Sequence, residues 1–187
     1  PYGDLTRFVS AELAAEAISD IRSWANYEPT PLLTWPKLAR ASGVNEIRCK
    51  YEGARFGIGS FKALGGAYAA GRALREEFEV RRSTRGSSLA EDITVTTASD
   101  GNHGLSVAWG ARRAGARCVV FLHANVSRER QRLIEAMGAT VERVPGNYDD
   151  STAAALKIAS EKGWLLIADT ATDYAEHPVR VMAGYGV

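Results

Sequence analysis

The chain has 187 residues, 45% of them hydrophobic and 24% charged, and its 23 basic and 22 acidic side chains leave a net charge of +1. This is globular composition with room for one domain, or one and part of a second, and it excludes a mainly disordered chain. Balanced charge gives no footprint for nucleic acid or an anionic membrane, no apolar run is long enough to span a bilayer, and no signal-peptide pattern opens the sequence, so a cytoplasmic location is expected.

Ala11 to Ala25 has helical period, with Leu13, Ala14, Ala17, Ile18, Ile21 and Trp24 on one face. Pro29, Pro31 and Pro36 then break any helix. Glu46 to Tyr51 has strand character, and Glu52 to Gly59 is a glycine-containing loop. Ser60 caps a helix running to about Phe78, with Phe61, Leu64, Tyr68, Leu74 and Phe78 inward. Val80 to Asp92, centred on RRSTRGSS, is expected to be a polar surface connection. Strict alternation follows. The strands are Ile93 to Thr97, Cys118 to Leu122, Thr140 to Val144 and Trp164 to Ala168. The first helix between them runs from about His103 to Gly115, and the second starts at Ser127 and ends near Gly138. The third is capped by Asp149 or Asp150 and ended by Gly163. This pattern predicts an α/β fold: an open parallel sheet with helices on both faces.

In such a sheet, ligand-binding groups gather in the loops at the carboxyl ends of the strands. The rule picks out Ser99 to Gly104, Leu122 to Ser127, and Asp169-Thr170, whereas Pro145-Gly146-Asn147 reads as a plain turn. In the first loop, two glycines and Asn102 let the backbone turn tightly, and its N–H groups face a helix start, a seat for a carboxylate or phenolate. The alternative is that Asp100 or Asn102 only caps the helix. Asp100 and Asp169 end different strands and so can point into one cleft, although a strand-end Asp is often only a cap. His103 can cap its helix, His123 and His177 read as surface or turn residues, and Arg112 and Arg113 as a solvated helix face. Trp109, Tyr148 and Trp164 read as core. Cys49 and Cys118 form no CxxC pair, which suits a reducing compartment, and the three histidines form no zinc pattern.

Ahead of the sheet, Arg55 to Lys62 is a glycine-rich turn feeding a helix with a lysine in its first turn. Most helix lysines are simply solvated. A phosphate loop is the other alternative, but the spacing does not fit GxxxxGK[ST], and one GxG is weak. A helix N-terminus disfavours a charged lysine by about 0.3–1 kcal/mol. The expectation is therefore that Lys62 releases its proton readily, giving the neutral amine that a Schiff-base nucleophile needs.

FGIGSFKALGG followed by TASDGNHG resembles the pyridoxal-phosphate enzymes of the tryptophan-synthase β type. SDGNHG, VAWGARR, GNYDDS, ADTA and VMAGYG are similar to the diaminopropionate ammonia-lyases within that group, and the resemblance runs from about Tyr51 to Tyr185. It implies the fold of that superfamily, incomplete, and pyridoxal 5'-phosphate carried on Lys62. By the same resemblance, Asn102 donates to the cofactor's phenolic oxygen, and Ser99, Asp100, Gly101 and His103 wrap the substrate carboxylate. The implied reaction is elimination of ammonia from 2,3-diaminopropionate to give pyruvate. Lys62 takes the α-proton of the L isomer, Asp100 that of the D isomer, and Asp169 sits near the substrate's amino groups. A carboxylate beside a leaving amine suits that cationic substrate. The partner is thus a small amino acid, with a homodimer implied at full length.

The resemblance also divides the chain. Residues 1–62 are the N-terminal segment and cofactor-lysine loop of a large domain, 63–178 a small α/β domain, and 179–187 the return to the large domain. Thr172-Asp173-Tyr174 is shorter than the group's pattern and lacks its aromatic and glycine, which bears on substrate identity. No second GGxG-like run follows Gly104, so the phosphate loop and the pyridine-nitrogen partner have no candidate. The expectation is an N-terminal portion without turnover on its own. The alternatives are a serine/threonine dehydratase-like or β-replacement enzyme of the same group, and a nucleotide-binding module. The last needs an acid about 20 positions beyond the glycines, where Glu76 and Glu77 fall inside the predicted helix.

Overall fold

Helix α1 (Ala11–Arg22) starts where Ser10 accepts a hydrogen bond from the Leu13 amide at 3.1 Å, a side-chain cap for an otherwise orphaned donor. Its expected apolar face is the buried one, with Ala17, Ile21 and the following Trp24 enclosed. These observations come from a computed structural model, which describes residues 10–85, 90–170 and 176–187. The proline-rich stretch is more ordered than expected. Strand β1 (Leu32–Thr34) pairs antiparallel with β2 (Arg48–Lys50), a shorter strand than the sequence pattern suggested. Pro36 opens helix α2 (Pro36–Ala41), where a missing N–H costs nothing.

The glycine-rich turn is pinned from behind. Arg55 is buried, donates to both carboxylate oxygens of Glu52 at 2.7 and 2.9 Å, and reaches the Glu28 carbonyl at 2.9 Å. The turn delivers the chain into helix α3 (Lys62–Arg85), with the Ser60 hydroxyl accepting from the Lys62 amide at 3.2 Å. Leu64, Tyr68 and Leu74 are buried as expected and Phe78 partly so, but Phe61 is exposed. Val80 to Arg85 is helix rather than connection. Charge pairs Glu77–Arg81 and Glu79–Arg82 lie one turn apart there and support an exposed helix.

The rest alternates: β3 (Thr94–Ala98), α4 (Asn102–Ala114), β4 (Arg117–His123), α5 (Arg128–Ala136), β5 (Thr140–Val144), α6 (Tyr148–Lys162) and β6 (Leu165–Leu166), with α7 (Glu176–Tyr185) last. The four strands are parallel in the order β5-β4-β3-β6. Residues of β4 alternate between faces. Cys118, Val120 and Leu122 join the core under α3, α4 and α5, while Val119 and Phe121 meet α6. Gly115 and Gly163 end α4 and α6 in the left-handed conformation. Two details depart from expectation. Asn147, not Asp149 or Asp150, caps α6, through a reciprocal box with Asp150. β6 is shorter than Trp164 to Ala168: only Leu165 and Leu166 stand in register with β3, opposite Val95 and Thr96.

Two packing facts place the site. A Cβ at Gly110 would lie 2.8 Å from the Ala67 Cα, so only glycine lets α4 approach α3 this closely. The chain also runs β3, β4, β5 to one side and returns to β6 on the other, so strand order reverses at β3. A crevice opens at the carboxyl ends there.

Candidate active site

Lys62 is the first residue of α3, and its carbonyl accepts from the Ser106 hydroxyl of α4 at 2.6 Å. Its Nζ lies 2.8 Å from Asp169 Oδ2, with the lysine side chain 30% and the aspartate 16% exposed. Asp169 stands just past β6, so the pair bridges two segments that the sequence keeps far apart. Burial alone would lower the Lys62 pKa, but the hydrogen bond and charge of Asp169, with Tyr185 of α7 beside it, outweigh burial and raise it. This corrects the expectation of a readily deprotonated amine: the carboxylate beats the helix N-terminus. Burial pushes Asp169 up, yet the hydrogen bond and charge of the Lys62 ammonium oppose this, and the carboxyl lies below its ordinary value.

The turn after β3 is organised by Ser99. Its buried hydroxyl accepts from the Gly101 amide at 2.9 Å and the Gly104 amide at 2.8 Å. Gly101 has φ 146°, a region that side chains rarely enter. Neither Asp100 nor Asn102 caps α4, so the capping alternative for both is corrected: Ser99 does that work, and the two are left exposed at the cleft. His103 is buried, with Nε2 2.9 Å from the Ile167 carbonyl. A carbonyl only accepts, so Nε2 carries the hydrogen and Nδ1 the lone pair, 3.7 Å from Asp169 Oδ2. Burial lowers the His103 pKa, consistent with a neutral ring.

These groups line one cleft of about 310 Å³: Lys62, the Ser99 to His103 turn and Asp169, joined by Arg130, Tyr148 and Thr170. The structure thus brings together every predicted site residue. A larger cavity of about 560 Å³ lies between α3 and α4 near Trp24, but no lysine or histidine lines it, so the chemistry belongs to the smaller cleft. Several contributors were not foreseen. Tyr148 faces the cleft rather than the core, because the exit of β5 is more than a plain turn. His123, expected at the surface, hydrogen-bonds Asp100 at 2.8 Å with little exposure of its own. His177 lies within α7, and Arg113 stacks on Trp24 and Trp109 at 4.2 and 4.9 Å instead of being merely solvated. Trp109 and Trp164 pack with core clusters as expected. On α3, Glu76 pairs with Arg180 of α7 and Glu77 with Arg81 one turn on, away from the cleft, which removes the support for a nucleotide site. Thr172-Asp173-Tyr174 lies outside the described residues.

A pyridoxal-phosphate dependent enzyme profile matches residues 24–187. The chain belongs to that family. It is 36% identical over 167 residues to the diaminopropionate ammonia-lyase of Escherichia coli K12, covering 86% of this chain and 42% of that protein. It is 34% identical over 193 residues to the enzyme of the same name from Salmonella typhimurium, covering 98% of this chain and 48% of the other. The crystal structure of the Escherichia coli enzyme in complex with an aminoacrylate-PLP azomethine reaction intermediate superposes with a TM-score of 0.84 at 35% identity. That match covers 98% of this chain and 47% of that one. The chain therefore spans about half the length of the curated relatives it matches.

The cleft fits the family's cofactor. It holds one lysine amine, partly exposed, for an aldehyde. The adjoining turn is held open at Gly101, where a Cβ would come within 2.9 Å of the Arg130 side chain. Asn102 stands exposed at the start of α4, a position from which its amide can donate to an oxyanion.

Proposed function

We propose that the chain carries the lysine and acid–base groups of a pyridoxal-phosphate lyase that eliminates ammonia from 2,3-diaminopropionate to give pyruvate and ammonia. The observation that carries this reading is the meeting of Lys62 and two carboxylates from different strand ends, Asp100 and Asp169, in one cleft. The relatives' shared name supplies the substrate. When bound, pyridoxal 5'-phosphate supplies the electron sink for charge left at the substrate's α-carbon.

The protein's own residues do the rest. Lys62 Nζ holds the cofactor and, once released, accepts the α-proton of the L isomer. Asp100, approaching from the β3 turn, accepts the α-proton of the D isomer. Asp169, kept ionised by its neighbours, accepts from the substrate's ammonium groups and helps the β-amine depart protonated. Ser99, Gly101 and His103 shape the turn whose N–H groups receive the substrate carboxylate, and Asn102 donates to the cofactor's phenolic oxygen. A carboxylate at Asp169 suits a leaving ammonium better than the leaving hydroxyl of a dehydratase, which favours the ammonia-lyase over the related alternatives.

We also propose a homodimer at full length, in the cytoplasm. Both cysteines are free, which suits a reducing compartment. Among the described residues no helix is long and apolar enough to cross a membrane. Residues 63–178 would form the small α/β domain, and 1–62 and 179–187 parts of a larger one.

The test uses protein expressed from the complete gene. Borohydride reduction with pyridoxal 5'-phosphate is expected to label Lys62 in peptide maps. Pyruvate release is expected from diaminopropionate in preference to serine and threonine. Label on another lysine, or preference for serine, would overturn the proposal.

A further inference from the structure

His123 closes β4, in a loop tied down on several sides. Arg143 donates to the Ala124 and Val126 carbonyls at 2.6 and 2.9 Å, which stiffens the stretch between β4 and α5. Within that stretch the Asn125 amide donates to His123 Nδ1 at 3.3 Å. An amide only donates, so Nδ1 is the acceptor and Nε2 carries the hydrogen. That hydrogen points at Asp100 Oδ1, 2.8 Å away. The imidazole is thus a neutral donor in a fixed tautomer, with its side chain 14% exposed against 62% for Asp100.

An aspartate this exposed samples several rotamers unless something holds it. Two contacts hold Asp100 on one side. His123 takes Oδ1, and Arg130 donates to the Asp100 carbonyl at 2.9 Å while its stem lies over Gly101. With Oδ1 engaged, Oδ2 is the oxygen left to meet a substrate proton. Lys62, across the cleft, is paired with Asp169 instead.

We propose that His123 is a positioning residue for Asp100. It aims Asp100 Oδ2 at the α-carbon and so sets turnover of the D isomer relative to the L isomer. The inference rests on the proposed role of Asp100 as the D-side base.

The test measures kcat/KM for D- and L-diaminopropionate with protein from the complete gene. His123→Asn keeps an acceptor for the Asn125 amide but is too short to reach Asp100. It is expected to lower the D:L ratio of kcat/KM by about 10-fold or more, as misplacing a reacting group does. His123→Gln, whose amide donates from nearly the position of Nε2, is expected to recover most of that ratio. Added to Asp100→Asn, His123→Asn is expected to change the ratio no further. Equal loss for both isomers in His123→Asn, or no recovery in His123→Gln, overturns the role of His123. If Asp100→Asn itself leaves the D:L ratio where it was, the reading of Asp100 fails and the positioning role falls with it. If Asp100→Asn lowers the ratio and His123→Asn does not, the inference about His123 alone is refuted.

Discussion

Replacing Ser99 by alanine removes one oxygen that serves two buried backbone donors. Its hydroxyl accepts from the Gly101 and Gly104 amides at 2.9 and 2.8 Å, and Ser99 is only 2% exposed. Each buried N–H left without a partner costs about 1–3 kcal/mol, and losing a helix N-cap costs about 0.5–2 kcal/mol. These overlap, since the Gly104 bond is the cap of α4. The cleft beside the turn is open enough for water to satisfy one amide in part. The expected loss is therefore about 2 kcal/mol, which for a protein of this size lowers Tm by roughly 4–8 °C. Urea unfolding followed by circular dichroism measures it, with Ser23→Ala as the control. The Ser23 hydroxyl also bonds a backbone carbonyl, that of Asp20, but on an exposed surface, so its loss is worth at most about 0.5 kcal/mol. If Ser99→Ala costs no more than Ser23→Ala, Ser99 does not hold the turn together, and the cleft geometry needs another explanation.

Two further outcomes are expected. Asp169 raises the Lys62 pKa, so Asp169→Asn should let the amine lose its proton at lower pH. The pH midpoint for reaction with pyridoxal 5'-phosphate, read from the absorbance of the lysine adduct, then moves toward acid; no movement, or an alkaline one, contradicts the pairing. Glu52→Gln strands the buried Arg55 charge and should cost about 3–5 kcal/mol at neutral pH. The Arg55 hydrogen bonds hold the Glu52 carboxyl below its usual 4.5. The pair's contribution is therefore complete above that value and disappears as pH falls through the lowered one. Wild type and variant should converge in urea titrations run in acid.

The βαβ half of the chain was legible because its signals are local. β-branched runs, Ser127 as a cap, and glycines at 115 and 163 each act within one turn of themselves. The first half hid more. Pro36 looks like a helix breaker until its place at a first turn is known, and β1 exists only because β2 pairs with it. At the site, the strand-end rule found Asp100 and Asp169 without knowing their partners. It missed the charge state of Lys62, since the acid that sets it comes 107 residues later. It missed His123, which reaches Asp100 from the end of β4, and Tyr148, which enters the cleft at the start of α6, for the same reason: strand order is not written in either residue's own surroundings.

The same buried polar groups that shape the cleft also tie its walls to one another. Ser106 pins the Lys62 carbonyl to α4, Ser99 pins α4 to the end of β3, and His103 pins α4 to the exit of β6. Through these three bonds Lys62 and Asp169 are held against a common helix rather than on loops of their own. Leaving any of the groups unpaired costs more than pairing it gains, so the arrangement resists partial opening. That stiffness matters because the Lys62–Asp169 ion pair is chemically the wrong state for attack on an aldehyde, which needs a neutral amine. The proton has to leave Nζ either to solvent at the cleft mouth or along the 2.8 Å bond to Asp169. Behind Asp169 stands the His103 Nδ1 lone pair at 3.7 Å, in a ring that burial keeps neutral. Burial disfavours protonation of that ring, so the routes open to the Nζ proton are the Asp169 carboxylate itself and the solvent at the cleft mouth.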